Sequence, residues 1–141
     1  MLTAKTTELD LMQVWLDSDP ERARLRVTFP INKWVGSKDS AVVYFEIEPG
    51  DRLARHTDSA EEVLYIVAGE AEAEIGDERG SIAAGDLAVI PAMVPHGLVN
   101  TGSEAVKVVG FFSESEIIST FDEPMQPIGA SSLNQGAPPP A

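Results

Sequence analysis

Two short blocks hold the chain's two histidines, and the first of them crowds carboxylates around its own. The first, GDRLARHTDSAEEVLYIVAG over residues 50–69, sets His56, Asp58, Glu61 and Glu62 just before an unbroken apolar run. The second, GDLAVIPAMVPHGLVN over residues 85–100, supplies the only other histidine, His96. Residues two apart in a strand project to one face, so His56 and Asp58 point together if this stretch is extended. Glu62 shares the parity of Leu64 and Ile66 and is expected inside, which favours it over Glu61. A carboxylate on an apolar inner face is costly unless it is paired or metal-bound. Two imidazoles with one or two carboxylates suit a divalent transition metal, Fe(II) first, with Mn, Ni, Co, Zn and Cu also compatible. His56, Asp58 and His96 spell the 2-His-1-carboxylate arrangement of non-haem iron oxygenases. Glu62 is then a fourth ligand or a catalytic base. The plainer alternative is a polar His56–Asp58 pair in a barrel mouth, with His96 bonding its own loop.

Such ligands converge only if short strands bring the blocks together. AVVYFEIE (41–48) puts Val43, Phe45 and Ile47 on one face. EVLYIVA (62–68) and EAEAEIG (70–76) flank Gly69, and the second of them carries three glutamates on a solvated face. Gly76 to Gly80 closes a hairpin, and 81–83, 87–90, 97–100 and 105–112 complete a series of short strands between turn residues. A turn every 8–12 residues indicates an all-β sandwich or barrel. Upstream, residues 8–19 mix two periods and read as a short strand or irregular arm, ended by Asp17-Ser18-Asp19-Pro20. Arg24 to Phe29 alternates as a half-exposed strand, and Trp34 is expected under the following loop. SESEIISTF (113–121) reads as a helical turn or a short strand. From Asp122 the chain is rich in Pro, Gly, Ser and Asn and is expected as an extended or disordered tail. The expected organisation is an N-terminal arm with the first strands (1–30), the β-barrel (31–121) and the tail (122–141).

The totals narrow the partners. The net charge is −13, from 23 acidic and 10 basic residues, with no basic cluster. Phosphate backbones and anionic membrane surfaces repel such a chain, so neither nucleic acid nor membrane is an expected partner. The absence of cysteine removes thiol catalysis and zinc–thiolate sites. No apolar stretch reads as a secretory leader or a membrane span, and a cytoplasmic protein is expected.

The two blocks resemble the paired motifs of the cupin family, usually written G-x5-H-x-H-x3,4-E-x6-G and G-x5-P-x-G-x2-H-x3-N. The chain reads Gly50-x5-His56-x-Asp58-x3-Glu62-x6-Gly69, then Gly85-x5-Pro91-x-Met93-x2-His96-x3-Asn100, with 15 residues between. Asp58 stands where the family has its second histidine, and Met93 where it has glycine. The resemblance covers roughly residues 41–112. It implies a cupin-type double-stranded β-helix or jelly-roll barrel, here with an N-terminal strand arm and a C-terminal extended tail. The metal set expected on it is His56, Asp58, Glu62 and His96. Met93, Phe45, Leu64 and Arg55 are expected around the substrate pocket, with Arg52 and Arg55 near the mouth to meet one carboxylate.

The resemblance also implies a range of activities. The leading expectation is a metal-dependent enzyme on a small organic substrate, an Fe(II) dioxygenase first, acting on an aromatic, enolic or modestly polar molecule. The alternatives are a non-catalytic ligand-binding or sensing module, and a redox-neutral isomerase, lyase or cyclase. A barrel this small leaves little room for a cosubstrate beside the substrate. Single-domain members commonly dimerise through sheet edges and exchanged N-terminal strands. A homodimer is therefore expected, with the Leu9–Leu16 arm and Phe111-Phe112 as apolar surface.

Overall fold

A computed structural model describes residues 1–139 of the 141. Its regular elements are strands: β1 Met12–Leu16, β2 Arg24–Ile31, β3 Ala41–Ile47, β4 Arg52–Asp58, β5 Glu62–Ala68 and β6 Glu70–Ile75. They continue as β7 Glu78–Ala83, β8 Leu87–Ile90, β9 His96–Val99, β10 Val106–Phe112, β11 Ile118–Gln126 and β12 Ala130–Asn134. All pairings are antiparallel, in the order β7-β6-β9-β4-β11-β1-β2-β3-β10-β5-β8, with β12 beside β11. No helix of the described residues is long and apolar enough to cross a membrane.

Alternation builds the barrel. Val43, Phe45 and Ile47 of β3, Leu64 and Ile66 of β5, and Val106 and Val108 of β10 are buried on one wall. Leu98 of β9 and Phe121 and Met125 of β11 join the same core from the other wall. Each such side chain removed from water stabilises the fold by roughly 1.5–3 kcal/mol. At the β5–β6 junction Gly69 has φ +82°, and a Cβ there would come 2.9 Å from Val106 Cα. The sequence can pass so close to β10 only with glycine.

Three local expectations change, and one left open between two readings is settled. The mixed periods of residues 8–19 resolve into a strand, β1, paired with β2 and β11 of its own chain. Trp34 is not tucked under its loop but is 62% exposed. The β6–β7 turn is only Gly76-Asp77, so Gly80 lies within β7, opposite Ala73. The largest change concerns the expected tail. Residues 118–126 form the longest strand, pairing with β4, β1 and β12, and residues 130–134 return as β12. Buried Phe121 and Met125 anchor that hairpin, outweighing a composition that favours disorder. Residues 140–141 of the expected tail lie outside the described residues.

Candidate metal centre

β4 carries two of the ligands because its buried positions alternate: His56 and Asp58 face in, and Arg55 faces out. Register then sets their neighbours. His56 lies opposite His96 of β9, while Ser119 and Phe121 of β11 lie opposite Asp58 and His56. The two imidazole centroids are 4.2 Å apart, and the Phe121 ring stacks on His56 at 4.6 Å and 15°. His56, Asp58, Glu62 and His96 are all at most 8% exposed.

Hydrogen bonds fix the tautomer of both rings. His56 Nδ1 is 2.8 Å from the Ala54 carbonyl and His96 Nδ1 is 2.9 Å from the Val94 carbonyl. A carbonyl only accepts, so each Nδ1 carries the proton and each neutral ring presents the Nε2 lone pair. Both Nε2 atoms point at Asp58 Oδ2, at 3.5 Å from His56 and 3.2 Å from His96. The other carboxylate oxygen, Oδ1, accepts a 2.6 Å hydrogen bond from Ser119 Oγ. Ser119 Oγ in turn accepts from Gln135 Nε2 at 3.3 Å.

The residues present fit a divalent ion. One ligand atom from each of His56, Asp58 and His96 lies within 4.8 Å of the others. His96 Nε2 is buried with no hydrogen-bond partner, which is unfavourable unless a proton or a cation answers it. Fixing the distal imidazole nitrogen on a backbone carbonyl is also how metal-ligating histidines are usually oriented. Asp58, standing where the resemblance expects histidine, turns inward. The donor set is N2O, with Glu62 as a second nearby carboxylate. Such a set is harder than a three-histidine one and suits Fe(II) or Mn(II) better than Cu(I).

The metal-free electrostatics follow from the same contacts. Burial pushes Asp58 up, but close contact with the His56 and His96 rings and the hydrogen bond from Ser119 outweigh it and hold the carboxyl well below its ordinary range. Burial drives Glu62 upward; its contact with His96 opposes this and the charge of Asp58 reinforces it. For His96, burial favours the neutral ring, yet Asp58 and Glu62 prevail and raise its pKa to about 9.

Most expected site residues meet here. Glu62 sits with its Oε1 3.7 Å from His96 Nε2, beside the three-ligand group and not within it. Phe45 and Leu64 line a cavity of about 970 Å³ that contains all four polar residues. That volume leaves more room than the sequence led us to expect.

Arg55 and Met93 do not line the cavity. The Arg55 guanidinium turns outward to Glu74 and the Gly76 carbonyl, as its strand parity requires. Arg52 is likewise engaged by Asp19 at 2.6 Å, so both arginines pair with carboxylates of the chain itself. Met93 is 60% exposed with φ +64°, and its N–H bonds the Asp58 carbonyl at 2.8 Å. It holds the loop below the site and leaves the pocket to others.

Sequence reading missed Ser119, Phe121, Gln135 and Gly110. Ser119 and Phe121 share one strand parity within 113–121, a signal the sequence does carry. Gly110 of β10 makes room for the Glu62 carboxyl: a Cβ there would strike Glu62 Oε2 and come 2.7 Å from Val43 Cγ1.

The family model described as a cupin domain matches residues 43–112. No curated protein matches the sequence. Among solved structures, a candidate sugar phosphate isomerase from Acidithiobacillus ferrooxidans is 19% identical with a TM-score of 0.66, covering 96% of this chain and 88% of that one. The polyketide cyclase RemF from Streptomyces resistomycificus is 18% identical with a TM-score of 0.65, covering 79% and 78%. Oxalate decarboxylase from Lactobacillus farciminis, in a formate complex, is 24% identical with a TM-score of 0.63, covering 75% of this chain but 32% of that one. The chain spans only about a quarter of the length of the first oxalate decarboxylase it matches, 26%. At these identities the likeness is one of fold.

Proposed function

We propose, for a chain that carries a cupin domain over residues 43–112, that it is a metal-dependent enzyme acting on a small organic molecule, an Fe(II) dioxygenase first. One observation carries the reading: three ligand atoms of His56, Asp58 and His96 converge within 4.8 Å at a large cavity, and one of them, His96 Nε2, is otherwise orphaned. A bound divalent ion supplies Lewis acidity and open coordination positions and, as Fe(II), dioxygen chemistry.

The chain's own residues do the rest. Ser119 holds Asp58 Oδ1 so that Oδ2 faces both imidazoles. Phe121 and Leu64 give the wall beside the ligand atoms its apolar surface. Glu62, whose carboxyl burial drives upward, is placed to take a substrate proton.

Protein purified without chelators should contain close to one equivalent of Fe or Mn and consume oxygen with enolic or phenolic substrates. The reading fails if no stoichiometric metal is found and added Fe(II), Mn(II), Ni(II) or Zn(II) leaves the melting temperature unchanged. A second reading is redox-neutral isomerase, lyase or cyclase chemistry, favoured by the buried Glu62–His96 pair at 3.7 Å. Its signature is turnover under strict anaerobiosis. Metal binding with no turnover of any panel compound would instead leave a ligand-binding module.

A further inference from the structure

The cavity reports the chemistry of its ligand through the charges it lacks. Among the described residues, the side chains lining it include Asp10, Asp58 and Glu62 but no lysine or arginine. An anionic group away from the ligand atoms would have no counter-charge and would face carboxylates. The wall is built largely from Val14, Leu25, Val43, Phe45, Leu64 and Phe112, and its 970 Å³ lies at the upper end of ordinary small-molecule sites, roughly 300–1,000 Å³.

We infer that this cavity takes an uncharged, multi-ring organic molecule presenting two neighbouring oxygens, enolic or phenolic, to the His56/Asp58/His96 end. Small dianions and sugar phosphates are excluded from the rest of the cavity by the same charges. The inference rests on the metal-centre reading only for the oxygen pair.

The test is therefore run first on chelator-stripped protein, following thermal shift and tryptophan fluorescence. 2,3-Dihydroxynaphthalene should bind about tenfold more tightly than catechol, because the second ring buries further apolar surface. Oxalate and glucose 6-phosphate should not bind. Equal affinity for the one-ring and two-ring diols, or preferential stabilisation by either anion, would overturn the inference. Failure of the metal reading shows separately, as absence of any further gain on adding Mn(II) or Fe(II).

Discussion

Ser119 Oγ and Asp58 Oδ1 are joined by a 2.6 Å hydrogen bond across the β11–β4 pair. The bond occupies one oxygen of the carboxylate and leaves the other facing two imidazoles. An aspartate is shorter than the histidine expected at this position, so its reach depends on which way the carboxylate turns. Ser119 sets that turn, and Gln135 supports Ser119 from the segment after β12.

Ser119→Ala should therefore weaken metal binding by about 10–100-fold, the usual effect of losing an orienting partner. Chelator competition with Mn(II) or Fe(II) would read this directly. Gln135→Ala should act in the same direction and less strongly. Unchanged affinity in Ser119→Ala would mean that Asp58 is oriented by its backbone alone.

The pH dependence of the metal-free protein follows from two raised groups. Glu62 lies above its ordinary 4.5 and His96 has moved from 6.5 to about 9. A raised pKa gives stability that is full below the unfolded value and lost as pH climbs through the folded one. The chelated protein should thus lose melting temperature as pH rises above about 4.5 and continue losing it between 6.5 and about 9. Asp58 acts oppositely, its contribution disappearing as pH falls below its ordinary 3.8. Metal must displace the His96 proton, so affinity should rise with pH, about tenfold per unit at most, up to pH 9. Thermal melts with and without Mn(II) would measure both slopes. A melting temperature of the chelated protein that stays flat or rises from pH 6.5 to 9 would contradict the assignment.

How far the site was legible in the sequence depends on the range of each contact. His56, Asp58 and Glu62 were readable because a two-residue period decides inside from outside, and burial follows it. The same rule places Arg55, one residue from His56, on the outer face; its charge alone suggested a role at the mouth. Ser119 is 61 positions from Asp58, and only the β4–β11 register brings them together. Proline and glycine near that register made the segment look unstructured. Its anchors are two isolated apolar residues, Phe121 and Met125, whose burial is decided by the partner wall.

Met93 allows a test at the edge of the site. It occupies the position where the related motif has glycine, and it keeps the glycine-like backbone, φ +64°. A side chain in that region costs roughly 1–2 kcal/mol, partly offset by the lower entropy of a non-glycine unfolded chain. Met93→Gly should raise stability by up to ~1 kcal/mol in urea melts with little effect on ligand affinity. Met93→Val, β-branched, should lower it. Because the Met93 N–H bonds the Asp58 carbonyl, Met93→Pro should also weaken metal binding.

Gly110 gives the sharpest separation of Glu62 from the three ligands. It lies on β10 opposite Leu64, and the missing side chain is the space that the Glu62 carboxyl fills. A methyl group there forces either the glutamate or Val43 to move. Overpacking of this kind costs roughly 1–3 kcal/mol. Gly110→Ala should therefore fold with reduced stability and still bind metal through His56, Asp58 and His96. Turnover, however, should fall together with the ascending limb of its pH profile, since the displaced carboxyl no longer reaches the substrate. Glu62→Gln in the native Gly110 background should lose the same limb without the stability loss. If Glu62→Gln instead abolishes metal binding while Gly110→Ala leaves turnover intact, Glu62 is a fourth ligand, and the proton passes elsewhere.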